Sequence, residues 1–296
     1  MYYALIMIAV TMFSIQFYCN KEYQKICGSG FFPSMVLTFG GSIAGLIALL
    51  VINKFNVGVT PFTLFMAFFN SINGILCTLC SQKALAHINL SLFSIFSQLG
   101  GMAIPFITGI IFFDEDITSG KFICFITIVI AMFLSLDMKG KKGSGFAILY
   151  YLGIFTFNGM AGFLSKIFTS APFEKADAAS YSILHIAITV ILSGIIILCM
   201  VLKDGKKTSS SVKEFRLTPP AVFWMSGGTV LNKVANFLLL IALANLPASV
   251  QYPMVTGGIM IVSTLLCYLT PNKPSLKEIF AVILSFAGIM CLVILA

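Results

Sequence analysis

The sequence predicts an all-α integral membrane protein with ten transmembrane helices, arranged as two inverted repeats of five helices. Three observations predict this fold class. First, the 296-residue chain is 59% hydrophobic and only 9% charged, a composition that excludes an ordinary soluble domain of this length. Second, apolar runs long enough to cross a bilayer recur along the whole chain. Third, the second half of the sequence repeats features of the first.

Ten helices follow when hydropathy is read together with the glycine, proline and charged residues that interrupt it. The first apolar run stops before Lys21 and Glu22 and has neither a basic leader nor a cleavage pattern, so we expect a retained helix rather than a signal peptide. Short connections around residues 87–89 and 245–247 make helices 3 and 4, and helices 8 and 9, antiparallel hairpins. The expected helices cover residues 2–19, 31–53, 61–83, 88–113, 119–138, 146–169, 177–202, 219–245, 248–270 and 276–295.

The two halves of the chain, residues 1–138 and 145–296, align with each other. The matched segments are Ala84 to Ser91 with Ala242 to Ser249, Gly100-Gly101 with Gly257-Gly258, Thr118 with Ser275, and Thr11 to Lys21 with Thr156 to Lys166. Because five is an odd number, the second half must enter the membrane in the opposite direction, which makes the repeat inverted. Two halves related in this way can exchange conformations, and this is the physical basis of alternating-access transport.

The helix expected over residues 219–245 carries Lys233 in an otherwise apolar run. At about 1.5 Å per residue, Lys233 lies roughly 20 Å from the start of that helix, near the centre of a hydrocarbon layer about 30 Å thick. Thr229, Lys233 and Asn236 follow the spacing i, i+4, i+7 and share one face, with Asn232 beside them. A charge at this depth costs roughly 2.5–3.5 kcal/mol even on a lenient scale. We therefore expect Lys233 to offer its charge to an anion, with bonding to backbone carbonyls as the structural alternative.

Further polar residues lie in other helices, and some of them must hold helices together. His185, in helix 7, titrates near neutral pH when it is accessible, and a structural role is equally consistent with its position. Asn70, Asn73 and Gln98 occupy the layer in the first half that Lys233 and its neighbours occupy in the second. The expected substrate-binding residues are Lys233, Asn236, Thr229, Asn232, Asn70, Asn73, Gln98, Tyr252 and His185.

Small and sulfur-containing residues are read as packing groups. Gly41-x-x-x-Gly45 predicts a close crossing between helices. Most of the eight cysteines lie inside apolar runs, where they behave as small hydrophobic residues. Cys77-x-x-Cys80 has the spacing of a zinc or redox motif, but it lies in mid-helix without a second ligand pair. We therefore expect neither a metal nor a cofactor.

The acidic residues all lie in loops or at the ends of expected helices. A proton-coupled carrier of cationic drugs is expected to keep a carboxylate in mid-membrane, so this distribution favours an anionic or zwitterionic metabolite. The one acidic cluster, Asp114-Glu115-Asp116, follows helix 4 and is interpreted as a solvated cap.

The chain resembles a ten-helix member of the drug/metabolite transporter superfamily, of the EamA-domain type. The residues that carry the resemblance are Ala84-Leu85-Ala86 with Ser91, Phe112 to Glu115 before Ile117-Thr118, and Lys21 at the end of helix 1, with Ala242 to Ser249, Ser275 and Lys166 in the second half. The chain departs from the family in lacking Trp-Gly in helix 1, in having Asp114-Glu115 in place of Gly-Glu, and in having Pro271 to Pro274 in the second half. The resemblance implies the ten-helix fold and leaves the substrate open.

These observations predict an alternating-access secondary carrier that exports a small polar metabolite, such as an amino acid or organic anion. The sequence has no nucleotide-binding loop, so ATP is not the expected energy source, and proton exchange through His185 or Lys233 is a hypothesis. Two alternatives stay open, a flippase for a lipid-linked phosphate and a non-transporting membrane scaffold. A membrane-embedded enzyme is less favoured because no His-Glu-x-x-His, Gly-x-Ser-x-Gly or phosphate-binding loop is present.

The basic residues predict partners and orientation. The net charge of +8 comes from lysines scattered over short loops, so we expect a small-molecule substrate and the lipid bilayer as partners, and no nucleic acid. We expect a multi-pass plasma-membrane protein, in a bacterial inner membrane, acting as a monomer or homodimer. The positive-inside rule places both termini outside, whereas the resemblance implies both termini inside. Loops after the odd-numbered helices carry Lys21, Lys25, Lys83, Lys139, Lys141, Lys142, Lys203, Lys206, Lys207, Lys213, Arg216, Lys273 and Lys277, and the opposite side carries Lys54, Lys121, Lys166 and Lys175.

Overall fold

The computed structural model describes residues 2–28, 30–87, 90–134, 147–204, 215–268 and 276–295. Within these ranges the chain is all-α, with ten helices and no strand, so the predicted helical class is confirmed. The helices are α1 (Tyr2–Cys27), α2 (Phe31–Ile52), α3 (Pro61–His87), α4 (Leu90–Phe113), α5 (Ser119–Leu134), α6 (Ala147–Ser170), α7 (Ala178–Asp204), α8 (Pro219–Leu243), α9 (Ala248–Tyr268) and α10 (Leu276–Ile294).

The main difference from the predicted helix boundaries is at α1, which continues to Cys27 instead of ending before Lys21. Lys25 and Glu22 lie one turn apart on this helix and form an ion pair, with 2.6 Å between Lys25 Nζ and Glu22 Oε1. Both charged residues therefore lie within the helix and do not mark its end. The Tyr23 hydroxyl donates a hydrogen bond of 2.8 Å to the carbonyl oxygen of Pro33, and its side chain is buried. The prediction that Lys21 closes the first helix is therefore wrong. Two predicted helix ends, at residues 138 and 270, lie outside the described residues. Ser275, which the repeat alignment pairs with Thr118, also lies outside them.

Six helices in the described part of the chain are long and apolar enough to cross a membrane. These candidate spans are Tyr2–Cys27, Phe31–Ile52, Pro61–Cys80, Ala178–Lys203, Pro219–Leu243 and Ala248–Leu266. Large hydrophobic side chains such as Phe65, Ile191 and Phe280 are exposed on the helix surfaces. Contact of such apolar surfaces with lipid costs no free energy, whereas their contact with water is unfavourable. The molecule therefore has the character of a membrane protein, while ten crossings remain a prediction.

Contacts divide the chain into two units, each assembled from separate segments. Unit 1 consists of Met1–Ser14, Lys83–Ala171 and Leu238–Ala296, and unit 2 consists of Ile15–Gln82 and Pro172–Phe237. Each unit draws helices from both halves of the sequence. The predicted division at residues 138 and 145 describes the sequence repeat, and it stays a prediction.

In unit 1, α4 packs against α6, α5 packs against α10, and α9 packs against α4, α5 and α10. The closest approach is between α4 and α6, where a Cβ atom on Gly100 would overlap the backbone of Phe155. A Cβ atom on Gly159 would likewise lie 2.5 Å from the carbonyl oxygen of Gly100. These glycines allow the two backbones to touch, as Gly-containing crossings do in membrane proteins.

In unit 2, α2 packs against α7, and α8 crosses α2 at the predicted Gly41-x-x-x-Gly45 motif. A Cβ atom on Gly41 would overlap the side chain of Thr229, so the predicted close crossing is confirmed. The apolar core of this unit contains Leu49 from α2 together with Ile183 and Ile186 from α7. This packing fixes the positions of α7 and α8, which carry the polar residues described next.

Candidate functional site

Lys233 lies on the face of α8 that crosses α2. Its side chain is half-buried, and its Cγ atom is 2.7 Å from the position that a Cβ atom on Gly45 would occupy. The aliphatic stem therefore lies directly over Gly45, which leaves it room because it has no side chain. Lys233 forms no ion pair with any residue that the structure describes. Its charge is therefore not neutralised by a carboxylate from the described part of the chain.

Amide side chains continue the polar face of α8 toward α1. The Nδ2 atom of Asn232 lies 3.4 Å from the Oε1 atom of Gln16, which is buried on α1. Asn236 is exposed, and its Nδ2 atom donates to the carbonyl oxygen of Asn232 at 2.8 Å. Thr229 contributes differently because its side chain packs on Gly41. On the predicted polar face of α8, Thr229 therefore contributes to helix packing, whereas Asn236 contributes a hydrogen bond.

His185 lies on α7 in unit 2, the unit that also contains Lys233 on α8. The imidazole is half-buried and nearly parallel to the ring of Tyr181, with 6.4 Å between centroids and 21° between planes. The backbone carbonyl of His185 accepts hydrogen bonds from Ser71 Oγ at 2.9 Å and Thr189 Oγ1 at 2.8 Å.

Helix α3 supplies the amides of this layer. Asn70 is buried, and its Nδ2 atom lies 3.0 Å from the hydroxyl oxygen of Tyr181, while Asn73 is buried three residues further along. Tyr181 was missed by the sequence reasoning. Its position one turn before His185 on α7 is the pattern that would have found it, because residues at i and i+4 share a helix face.

The structure places seven of the nine predicted site residues in unit 2 and two in unit 1. The unit 2 group consists of Lys233, Asn236, Thr229, Asn232, Asn70, Asn73 and His185. Gln98 is half-buried on α4 in unit 1. Tyr252, on α9 in the same unit, donates a hydrogen bond of 3.1 Å from its hydroxyl to the carbonyl oxygen of Gly162. A shared role for Gln98 and Tyr252 with Lys233 stays a prediction.

A second polar cluster, in unit 1, is centred on Glu115. It corrects the interpretation of Glu115 as part of a solvated cap, while Asp114 and Asp116 are exposed. The Glu115 side chain is only 7% exposed, and its Oε1 atom lies 2.8 Å from the Nζ atom of Lys166, which is 11% exposed. The same carboxylate accepts bonds from the backbone N–H groups of Ala248 at 2.8 Å and Ser249 at 2.9 Å, and from the Ser249 hydroxyl at 2.6 Å. Glu115 therefore joins α6 to the start of α9.

The ionisation of Glu115 follows from these contacts. Burial by itself raises the pKa of the carboxyl, but the hydrogen bonds from Lys166, from the Ser249 side chain and from the two backbone N–H groups outweigh it. The net result is a pKa below the ordinary value. The negative charge of Glu115 at the first turn of α9 is also stabilised by the positive end of that helix's dipole.

Local backbone geometry directs Glu115 into this position. Asp114 has φ of +50°, in the left-handed region, and this turn ends α4. The N–H group of Glu115 then bonds to the carbonyl oxygen of Gly109 at 3.2 Å. A Cβ atom on Gly109 would lie 2.8 Å from Glu115 Oε2, so a larger residue there would displace the carboxylate from this position. Lys166, predicted as a charge near the end of helix 6 on the less basic side, is buried on α6, with its Nζ atom 5.5 Å from the ring centroid of Phe113.

Comparisons with known proteins give a fold and no function. No protein-family model matches this chain, and no curated protein matches it. One solved structure, described only as the crystal structure of a protein, is similar with a TM-score of 0.75 at 14% identity, over 99% of this chain and 96% of that chain. At this level of identity the likeness concerns the fold alone, and it extends over nearly the whole length of both chains.

Proposed function

We propose that this chain is an alternating-access secondary carrier of the drug/metabolite transporter type, which exports a small anionic or zwitterionic metabolite such as an amino acid or organic acid. The observation that carries the proposal is Lys233, a half-buried lysine in a membrane-spanning helix with no carboxylate partner among the described residues. Ionisable residues inside membrane helices are costly, and they mark substrate or ion pathways.

Three acidic residues of unit 2 whose side chains the structure describes are engaged or exposed elsewhere. Glu22 pairs with Lys25 at the end of α1, and Asp177 caps α7 by accepting a bond of 2.9 Å from the N–H group of Ser180. Glu174 is exposed in the connection before α7. A substrate carboxylate would therefore supply the negative charge that Lys233 lacks, while the Asn232 and Asn236 amides beside Lys233 on α8 offer hydrogen bonds to its polar groups.

Helix pairing within the units supports the inverted repeat. In the repeat, each helix has a counterpart in the other half, five positions away in the chain. Replacing every helix by its counterpart converts the α4–α6 contact into the α9–α1 contact. It also converts the α3–α7 contact into the α8–α2 contact. The paired glycines follow the same exchange at the level of helices, because Gly101 meets Asn158 on α6 while its counterpart Gly258 meets Val10 on α1. Such a repeat is the architecture of alternating-access carriers.

We propose the orientation with both termini outside, which the positive-inside rule favours and two buried lysines support. Lys166 is paired with Glu115, and Lys121 is buried with its Nζ atom 2.6 Å from the carbonyl oxygen of Asp116. Neither is therefore a free loop charge on the less basic side of the protein, which makes the charge asymmetry between the two sides larger. A plasma-membrane location and proton coupling through His185 or Lys233 belong to the same proposal.

The test is a thermal-shift screen of purified protein with Lys233→Met in parallel. The panel contains amino acids, organic acids, an isoprenyl phosphate and cationic dyes. A ligand at one hundred times its dissociation constant stabilises the native state by about 2.7 kcal/mol. We expect anionic or zwitterionic metabolites to raise the melting temperature of the wild type and to lose that effect in Lys233→Met.

The matched control is Lys203→Met, which removes an exposed lysine near the end of α7. This variant should retain the ligand-dependent shift. Cationic dyes that stabilise wild type and Lys233→Met equally, with no effect of any anion, would make Lys233 a structural residue and overturn the substrate class. Stabilisation by the isoprenyl phosphate alone would favour the flippase alternative.

A further inference from the structure

The polar cluster around Glu115 lies at one end of unit 1, where three helices meet. Glu115 is the second residue after α4, Lys166 lies four residues before the end of α6, and Ser249 is the second residue of α9. The sequence neighbours of Glu115, Asp114 and Asp116, are both exposed. The buried ion pair is therefore close to water, although it is itself shielded from it.

The contacts of Glu115 connect its position to that of the start of α9. Its carboxylate accepts hydrogen bonds from the N–H groups of Ala248 at 2.8 Å and Ser249 at 2.9 Å. These residues begin α9, so their N–H groups have no acceptor within their own helix. If Glu115 leaves, water has to replace the carboxylate at both N–H groups. Release of Glu115 and access of water to the start of α9 are therefore coupled.

A buried ion pair is suited to a contact that opens. Replacing such a pair by apolar side chains of similar volume is often neutral or stabilising, because burial of two charges offsets much of their attraction. A permanent contact between helix ends would therefore gain little from charges. When helix ends separate, water solvates both charges, whereas separated apolar side chains would remain in unfavourable contact with water. The Glu115–Lys166 pair can thus open at a lower cost than an apolar contact of the same size.

The predicted repeat carries this acid in one half only. The alignment of the two halves pairs Lys166 with Lys21, so the lysine recurs. Counted back from the aligned residues before helices 5 and 10, the counterpart of Glu115 is Asn272. An amide therefore stands where the repeat would place a second carboxylate, and the two sides of the membrane differ at this position.

We propose that the Glu115–Lys166 pair is a latch, which holds the ends of α4, α6 and α9 together and opens when the protein changes conformation. In the orientation proposed above, the latch lies on the outer side of the membrane, because it follows an even-numbered helix. Since the repeat has Asn272 at the counterpart position, the state that is locked on the outer side is favoured before a substrate binds. The role of the latch in transport rests on the proposed carrier function, whereas the opening itself is measurable without a substrate.

The experiment measures how fast a charged methanethiosulfonate reagent modifies Ala248→Cys in purified protein, followed at that position by peptide mass spectrometry. Ala248 is fully buried, and the substitution keeps the N–H group that binds Glu115, so we expect slow modification. Adding Glu115→Gln together with Lys166→Met should raise the rate about tenfold, in proportion to the population of the open arrangement. A negative result would remove the latch alone, and a thermal-shift screen without any ligand effect would remove the carrier alone.

Two controls distinguish a latch from a general loss of packing. Ala281→Cys places a thiol at a buried position near the start of α10, which follows the far end of α9. It should stay unmodified when Glu115 and Lys166 are replaced. The second control replaces the exposed ion pair of α1 by Glu22→Gln and Lys25→Met, and it should leave the rate at Ala248→Cys unchanged.

Denaturant unfolding of the same variants decides between a latch and a structural brace. The double variant has no unpaired buried charge, so we expect most of the stability lost in Glu115→Gln to return. A modification rate that also returns to the wild-type value, or that rises equally at Ala281→Cys, would overturn the latch. If the double variant does not fold, Ser249→Ala, which removes the hydroxyl bond of 2.6 Å to Glu115, replaces it. It should raise the rate at Ala248→Cys about threefold, and an unchanged rate would overturn the proposal.

Discussion

Glu115 holds three helices of unit 1 together through one carboxylate. It follows α4, pairs with Lys166 on α6 and accepts hydrogen bonds from the first residues of α9. The pair is shielded from water, so each charge depends on the other for its solvation. Removing one partner is therefore expected to cost more than removing both.

At the residue scale, we expect Glu115→Gln to lower the free energy of unfolding by about 3–5 kcal/mol, because it leaves the buried Lys166 ammonium without a counter-charge. The double variant Glu115→Gln with Lys166→Met should recover much of this loss. Denaturant unfolding in detergent micelles, analysed as a double-mutant cycle, measures both effects. Glu174→Gln, which changes an exposed acid, is the matched control. A loss in Glu115→Gln no greater than in this control would contradict the prediction.

The pH dependence provides a second measurement of the same pair. The pKa of Glu115 is lowered on folding, so its contribution to stability is fully present above its unfolded pKa, which is about 4.3. The contribution is lost as the pH falls through the lower, folded pKa. The difference in melting temperature between wild type and Glu115→Gln should therefore be constant from pH 8 to pH 5 and should shrink below about pH 4. A difference that grows on acidification would exclude this assignment.

At the scale of helices, the crossing of α2 and α8 determines where Lys233 lies. The crossing depends on Gly41, which leaves room for Thr229, and on Gly45, which leaves room for the stem of Lys233. Small residues allow helices in membranes to approach closely, and the packing of these two helices gains dispersion energy that side chains would prevent. The polar face of α8 is thereby held against α2.

We expect Gly45→Ala to destabilise the protein by about 1–3 kcal/mol, because its Cβ atom would lie 2.7 Å from Lys233 Cγ. It should also weaken the ligand-dependent thermal shift by moving Lys233. Gly74→Ala on α3 is the matched control, since no atom lies within 4 Å of its new Cβ atom. That change is expected to be neutral or stabilising by up to about 1 kcal/mol. Thermal unfolding with and without ligand tests the pair, and equal behaviour of the two variants would contradict the prediction.

At the scale of the whole molecule, the proposed orientation determines which loops face the outside of the cell. The connection between α6 and α7 carries Phe173, which is 63% exposed, and the segment before α8 carries Leu217, which is 45% exposed. These connections follow an even-numbered and an odd-numbered helix, so ten crossings would place them on opposite sides of the membrane. The positive-inside rule assigns the first to the outside and the second to the cytoplasm.

We expect the cysteine introduced in the Phe173→Cys variant to react with a membrane-impermeant maleimide in intact cells. Leu217→Cys is expected to react only after permeabilisation, because it lies on the basic side. The parent protein, with its native cysteines, gives the background labelling. The reverse pattern would place both termini in the cytoplasm, as the family resemblance implies. Labelling of both positions from the same side would exclude ten crossings.

The sequence by itself determined the helices of this protein and its membrane character. Both depend on short-range properties: a helix closes its hydrogen bonds within four residues, and hydropathy is a property of each segment. The close crossing at Gly41 and Gly45 was also predictable, since a Gly-x-x-x-Gly spacing places both glycines on one helix face. The shared face of Thr229 and Lys233 followed from the same periodicity.

The tertiary structure alone decided which polar groups meet. Glu115 and Lys166, or Asn70 and Tyr181, lie far apart in the sequence, and either acid or lysine alone is indistinguishable from a solvated charge at a helix end. The hydrogen bond from Tyr23, on the part of α1 beyond Lys21, to the Pro33 carbonyl likewise joins groups ten residues apart. Burial of a charge becomes favourable only when packing brings its partners to it, so no local pattern in the chain reveals that burial.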